Sequence, residues 1–233
     1  MRLLFILFSF SVFCQNLDVN NEFNYKLIRS SILSGDIKSN HSLNIYPLKL
    51  DDNYEKLLNY PFRKIIKNKK ETIELKFLGL DYFIEYNSRH PYNRNNGTMI
   101  PNRGYQHIIS PGMYLKVGPL SIKLKPEHHY SENKKFDGFW EGHSDYIWRE
   151  RYRLWNHIDM PERFGEIRHN QTTLGQSSIR LNWKKLSIGI SNENIWWGPS
   201  IRNSIMMSNH ARGFKHVTFN TTKPLKTKIG NFE

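Results

Sequence analysis

The chain has 233 residues, a formal net charge of +13, 38% hydrophobic and 14% aromatic residues, and a single cysteine. One cysteine excludes a small disulfide-stapled scaffold. Lys and Arg scattered along the whole length, without a helical basic stripe, speak against nucleic acid as the partner and for anionic polysaccharide, lipopolysaccharide phosphate or solvent.

Taken in chain order, the first 14 residues carry one Arg and then an apolar run, ending at Cys14. The run is far shorter than the roughly 20 residues that span a bilayer as a helix, so residues 1–14 read as a secretory signal peptide. Phe13 is too bulky for the position before a lipidated cysteine. Residues 15–65 are polar and Asn-rich and read as a partly helical N-terminal segment on the periplasmic side. Phe23, Leu27, Ile28 and Ile32 share one helical face that ends near Ser34-Gly35. Asp51 to Leu58 reads as a second short helix, with Asp51 or Asp52 as its N-cap.

From residue 66 onward the chain reads as strands of an antiparallel up-and-down transmembrane β-barrel. Ile73, Leu75 and Phe77, then Leu80, Tyr82, Ile84 and Tyr86, alternate with polar residues, and the change of phase at Gly79 reads as a bulge. Asn87 to Met99 is expected to be a loop. Met113, Leu115 and Val117, the turn Gly118-Pro119, then Leu120, Ile122 and Leu124 make a hairpin. Ile179, Leu181 and Trp183, the turn Lys184-Lys185, then Leu186, Ile188 and Ile190 make another. Between them lies a long aromatic connection, His128 to Thr173, with Trp140, Trp148 and Trp155 expected on the exterior. Short turns alternating with long loops fit a barrel whose turns are periplasmic and whose loops are extracellular. His216 to Thr221 is a further strand. Closure is expected to need more strands, after Glu233 or from a partner, because an open edge in lipid leaves unpaired backbone groups.

The segment from Asn192 to Lys215 combines Trp196, Trp197, a Gly-Pro turn, Arg202, Asn203, Asn209 and Arg212. Tryptophan faces suit the C–H surface of a pyranose, Arg forks suit carboxylate or phosphate, and Asn supplies both donors and acceptors. Adjacent strand residues point oppositely, so at most one of the two tryptophans can stack on a glycan. His128 and His129 likewise point apart and lack metal-ligand spacing, so no metal or other cofactor is expected. The loop carboxylates Glu141, Asp145, Glu150, Asp159, Glu162 and Glu166 carry no catalytic signature by spacing alone. Glu162 with Arg163 reads as an ion pair.

Several segments, in order, resemble the Wzi capsule-assembly family of outer-membrane β-barrels, in its Bacteroidetes form. They are Tyr86-Asn-Ser-Arg-His-Pro-Tyr92, Asn96 to Tyr105, Gly118 to Glu127, Arg163-Phe-Gly, Gly175 to Arg180, the Trp196-Trp197-Gly-Pro run, and Phe214 to Pro224. Arg94 and Asn95 depart from the family pattern. The resemblance implies an N-terminal part of a barrel that binds or organises surface polysaccharide as a lectin and not as an enzyme, with a link to gliding motility of the RemB type. It adds Asn87, His90 and Tyr92 as secondary candidates for polysaccharide contact. The rival readings are a secreted β-rich enzyme acting on glycans and a purely structural barrel scaffold.

Overall fold

The computed structural model describes residues 16–17, 22–37, 43–49, 64–68, 72–93, 96–158, 163–200, 203–222 and 225–232. The expected signal peptide, the expected helix at Asp51–Leu58, Arg94, Asn95, Glu162 and Arg202 lie outside these residues. Helix α1 (Glu22–Leu33) stands among the short strands β1 (Asn16–Leu17), β2 (Ile45–Tyr46) and β3 (Leu48–Lys49). The sheet strands are β4 (Lys64–Lys67), β5 (Ile73–Tyr92), β6 (Asn102–Val117), β7 (Leu120–Leu124) and β8 (Glu127–Ser131). After helix α2 (Asp145–Ile158) come β9 (His169–Thr173), β10 (Ser178–Trp183), β11 (Leu186–Ser191), β12 (Trp196–Trp197) and β13 (His216–Thr221), then the hairpin β14 (Leu225–Thr227) and β15 (Gly230–Phe232).

The main sheet runs β13-β11-β10-β7-β6-β5-β4, every pair antiparallel. Strand β8 resumes along β6 after β7 is interrupted at Lys125-Pro126, and β9 pairs with β8. Proline cannot donate to a ladder, which accounts for the break. The result is a meander, mainly antiparallel β, that is not closed among the described residues.

The two faces of this sheet are inverted relative to a soluble protein. Along β6, Val117, Leu115, Met113, Pro111 and Ile109 share one face, and Lys116, Tyr114, Gly112, Ser110 and Gln106 share the other. The register carries this division across the sheet. Phe77 meets Met113, which meets Leu124, while Lys76 meets Tyr114, then Lys123, then Ser178, then Ser191. The apolar members (Phe77, Met113, Leu124, Ile179, Leu181, Ile188, Ile190, Val217, Phe219) are exposed, and the polar ones (Lys76, Lys123, Ser178, Ser187, Ser191) are buried. Burial of apolar area in water would select the opposite arrangement, which removes the water-soluble sandwich as an alternative. Apolar residues outward and polar residues inward are what a barrel wall in lipid requires. The apolar stretch along β6 covers residues 109–117, matching the roughly 9–11 residues of a tilted membrane strand.

The expected bulge is present, with the β5–β6 register shifting between Phe77 and Gly79. It moves the outward set from Ile73, Leu75 and Phe77 to Leu80, Tyr82, Ile84 and Tyr86. Above the apolar stretch an outward aromatic group forms. The Tyr82 and Tyr105 hydroxyls are 2.8 Å apart, and His107 lies 5.5 Å from Tyr130 and 5.7 Å from Tyr82, centroid to centroid. At the other end Trp183 is exposed with the Lys184 ammonium 5.1 Å from its ring centroid. These two levels have the composition of interfacial girdles.

The short turns share the Trp183 end of the sheet. Gly118 N donates to Thr72 O, Asn182 N to Pro119 O and Thr222 N to Lys185 O. Gly118 and Lys184 both adopt positive φ, as tight hairpin turns require. All long connections leave from the opposite end. Two expectations need correction there. Strand β5 continues to Tyr92 and β6 begins at Asn102, so the loop expected from Asn87 starts only at Asn93. The arm is polar on both faces and held by side chains: Asn87 Nδ2 bonds Tyr92 O and Asn102 O, both at 2.9 Å. The connection after His128 is also not one loop, since it contains β8, α2 and β9.

Candidate functional site

The segment from Asn192 to Lys215 leaves β11 at Ser191 and returns to pair His216 with Ser191. It turns over the polar face of the sheet, because its first residues answer polar groups buried there. Lys123 Nζ donates to Glu193 Oε1 at 2.8 Å, and Ser191 Oγ donates to Glu193 Oε2 at 3.0 Å. Arg180 lies 3.8 Å from the same carboxylate. Asn194 N donates to Gln176 Oε1 at 2.9 Å while Gln176 Nε2 donates to Asn194 Oδ1 at 2.7 Å and to Glu127 Oε1 at 3.0 Å. Glu127 in turn accepts from Thr98 Oγ1 at 2.5 Å. The loop at 93–101 therefore folds onto the same face, and Gly97 N donates to Asn209 O at 2.6 Å. Asn194 Nδ2 closes the excursion by donating to Ala211 O at 2.7 Å. This buried network is a group of residues that sequence reasoning missed. Its signal was available in the polar alternates Ser121, Lys123, Lys125 and Glu127.

Within the excursion the two tryptophans diverge, as alternation requires. Trp196 is 4% exposed and packs with Tyr25, Ile28 and Tyr46. Its indole Nε1 donates to Ser200 O at 3.0 Å. Strand β12 pairs with β2, Trp196 opposite Tyr46 and Trp197 opposite Ile45. Helix α1 is the amphipathic helix read from the sequence: Ile28 is fully buried, and Gly35 takes positive φ just beyond its end. Burial in this cluster pushes the Tyr46 phenol up. Trp196 is thus a packing residue that ties the N-terminal portion to the excursion, and its ring is not offered to a ligand.

Trp197 is 42% exposed. Its backbone is clamped on both edges: on one, Trp197 N donates to Met206 O at 3.0 Å and Ile205 N to Trp197 O at 2.8 Å, and on the other Gly198 N donates to Asn44 O at 2.7 Å beside β2. Asn203 and Arg212 are exposed, Asn209 is half-buried, and Arg202 lies outside the described residues. An aromatic face and polar groups are therefore displayed on a loop with fixed ends. Of the secondary candidates, the Asn87 amide is occupied by three acceptors, Glu85 Oε1 among them. His90 is exposed, its ring 6.2 Å from Phe136 in an edge-on contact, and Tyr92 is exposed. His129 faces inward beside His169, 5.1 Å between centroids, while His128 faces out with its Nδ1 at 2.9 Å from Thr172 Oγ1. Arg163 donates to Asn133 O at 2.6 Å and Glu166 O at 2.8 Å.

Comparison with known proteins adds one finding. No curated protein and no solved structure matches the chain. The family model described as capsule assembly protein Wzi matches residues 87–231, taking in the polar arm, both later hairpins and the excursion, and the chain belongs to that family.

Proposed function

We propose that this protein sits in the outer membrane and holds or organises an acidic surface polysaccharide as a lectin, with no catalytic step. The observation that carries the reading is the combination of a lipid-compatible sheet with an excursion that exposes Trp197, Asn203 and Arg212 and holds Asn209 half-buried beside them. Lipid and lipopolysaccharide cover the outward apolar residues. Short turns on the Trp183 side support a periplasmic position for that side, with the long connections at the cell surface. Trp197 provides a stacking face, Arg212 together with Arg202 provides charge-assisted bonds to carboxylate or phosphate, and Trp196 provides the anchorage beneath. On this reading the N-terminal portion, expected from the sequence on the periplasmic side, goes instead with the surface-side excursion, because α1 and β2 pack on Trp196. A link to gliding motility belongs to the same proposal. It rests on the resemblance of the Tyr86–Tyr92 and Trp196–Lys215 segments.

The test is surface retention of polysaccharide in cells carrying Trp197→Ala, Arg202→Ala and Arg212→Ala together. The expected outcome is loss of retained glycan with normal protein levels in the outer-membrane fraction. Unchanged retention would remove the binding role, and recovery of the wild-type protein in the soluble periplasmic fraction would remove the location.

A further inference from the structure

Helix α2 projects from the longest connection and presents a face that the excursion does not use. Trp148 and Tyr152, one helical turn apart, have near-parallel rings, 5.7 Å between centroids at 27°. They form one wall of an open groove whose other lining residues are Asp145, Arg149 and Arg153. The groove is braced from behind. Phe139 meets Trp148 edge-on at 5.0 Å, and the Arg151 guanidinium lies 4.0 Å from the Phe139 ring centroid and 4.2 Å from that of Trp155. Trp148 is thereby held in place, while Tyr152 stays exposed.

We infer that this face of α2 is a second subsite, for a carboxylate-bearing pyranose of the surface polysaccharide. The inference rests on the polysaccharide reading above but uses none of its residues. The stacked Trp148–Tyr152 platform takes the C–H face of a sugar ring. Arg149 makes no ion pair with any described residue, so its guanidinium can take the sugar carboxylate as a two-pronged donor. Arg153 is paired with Glu150 at 2.7 Å, but both side chains are exposed, and such pairs exchange readily for a ligand anion. The Asp145 carboxylate, in the same groove, accepts from sugar hydroxyls. A membrane-anchoring helix gathers its aliphatic and aromatic residues on one face. Here Ile147 and Leu154 do lie opposite Arg149 and Asp145, but the groove itself sets the Trp148–Tyr152 platform among Asp145, Arg149 and Arg153, and that mixture of ring faces and charges favours a glycan as its occupant.

The experiment uses the full-length protein in lipid nanodiscs, with alginate as polyuronate probe, dextran as neutral probe, and anionic phospholipid vesicles as a third. Arg149→Gln is expected to weaken alginate binding about tenfold, the size of one charge-assisted bond, and to leave dextran unchanged. Tyr152→Leu, which does not disturb the Phe139 contact, is expected to weaken both glycans. Alginate affinity within twofold of wild type in both variants would overturn the subsite. So would a loss seen only with vesicles, which would make α2 a membrane anchor. Trp197→Ala with Arg212→Gln, run in parallel, separates the two claims. If only that pair loses alginate, the excursion site stands and the α2 subsite falls; if only the α2 variants lose it, the reverse holds.

Discussion

Lys123 and Glu193 carry opposite charges with side chains only 2% and 1% exposed, and they join a sheet strand to the first turn of the excursion. Desolvating two such charges is costly, so the pair is a poor source of net stability but a strong constraint on which conformation is possible. Lys123→Met alone leaves a buried carboxylate and is expected to cost about 3–5 kcal/mol. Lys123→Met with Glu193→Leu is expected to recover most of that. A double-mutant cycle on urea unfolding in detergent measures both, and additive losses would show that the pair is not coupled. A second charged contact lies beyond the sheet end. Glu132 Oε2 accepts from Lys134 Nζ at 2.8 Å and from Tyr105 N at 2.7 Å, and these bonds hold its carboxyl below the ordinary value of 4.5. A depressed carboxyl contributes stability that is present above its unfolded-state value and lost as pH falls through the folded one. Protection of the Tyr105 amide, taken as its exchange rate relative to the intrinsic rate at each pH, should therefore fall on acidification below that range, and Glu132→Gln should flatten the profile. An identical acid profile in the variant would assign the sensitivity to another group.

At the scale of the element, the long β5–β6 hairpin shows what alternation can and cannot reveal. Where one face meets lipid, the period of two is sharp: Ile73 to Phe77, the phase change at Gly79, and Leu80 to Tyr86 were all readable from the sequence, as were both tight turns. Beyond Tyr86 the arm leaves the apolar layer, and the contrast between its faces disappears. Asn87 to Tyr92 therefore reads as a loop although it is strand. The same reason hides β8, which carries Glu127, His129 and Ser131 on one face and His128 and Tyr130 on the other. Helix α2 was hidden differently. Trp148, Tyr152 and Trp155 do recur at helical spacing, but three arginines among them blur the apolar stripe that marks a packed helix. A charge placed on the lipid-facing row should be far worse than one on the inward row. Met113→Arg, near the middle of the apolar stretch, is expected to cost about 2–4 kcal/mol of folding into lipid. Lys116→Arg, on the inward face beside Glu74 and Ser121, is expected to fold normally. Heat-modifiable migration after refolding into liposomes reads this difference. Equal folding yields would mean that the outward face does not contact lipid.

Across the whole molecule, the excursion is held at three places by parts of the chain far apart in sequence. Glu193 and Asn194 tie it to the inward face of the sheet, Asn209 to the loop at Gly97, and Trp196 to α1 and β2. The sequence indicated that Trp196 and Trp197 point oppositely but not which of them is covered, because the covering residues Tyr25, Ile28 and Tyr46 come 150 to 171 positions earlier. Their convergence makes the N-terminal portion a support for the exposed face at Trp197. It also means that the two can be separated experimentally. Ile28→Asp puts a carboxylate in the apolar cluster of Tyr25, Ile28, Tyr46 and Trp196 and is expected to detach α1 and β2 from Trp196. The sheet shares no core residue with that cluster, so heat-modifiable migration should persist. Limited proteolysis should then cleave the N-terminal portion, and indole fluorescence should shift to the red as Trp196 meets water. Retained polysaccharide should fall even though Trp197, Asn203 and Arg212 are intact. If cleavage and the red shift occur without any loss of polysaccharide, the excursion supports itself, and the packing of Trp196 has no part in recognition.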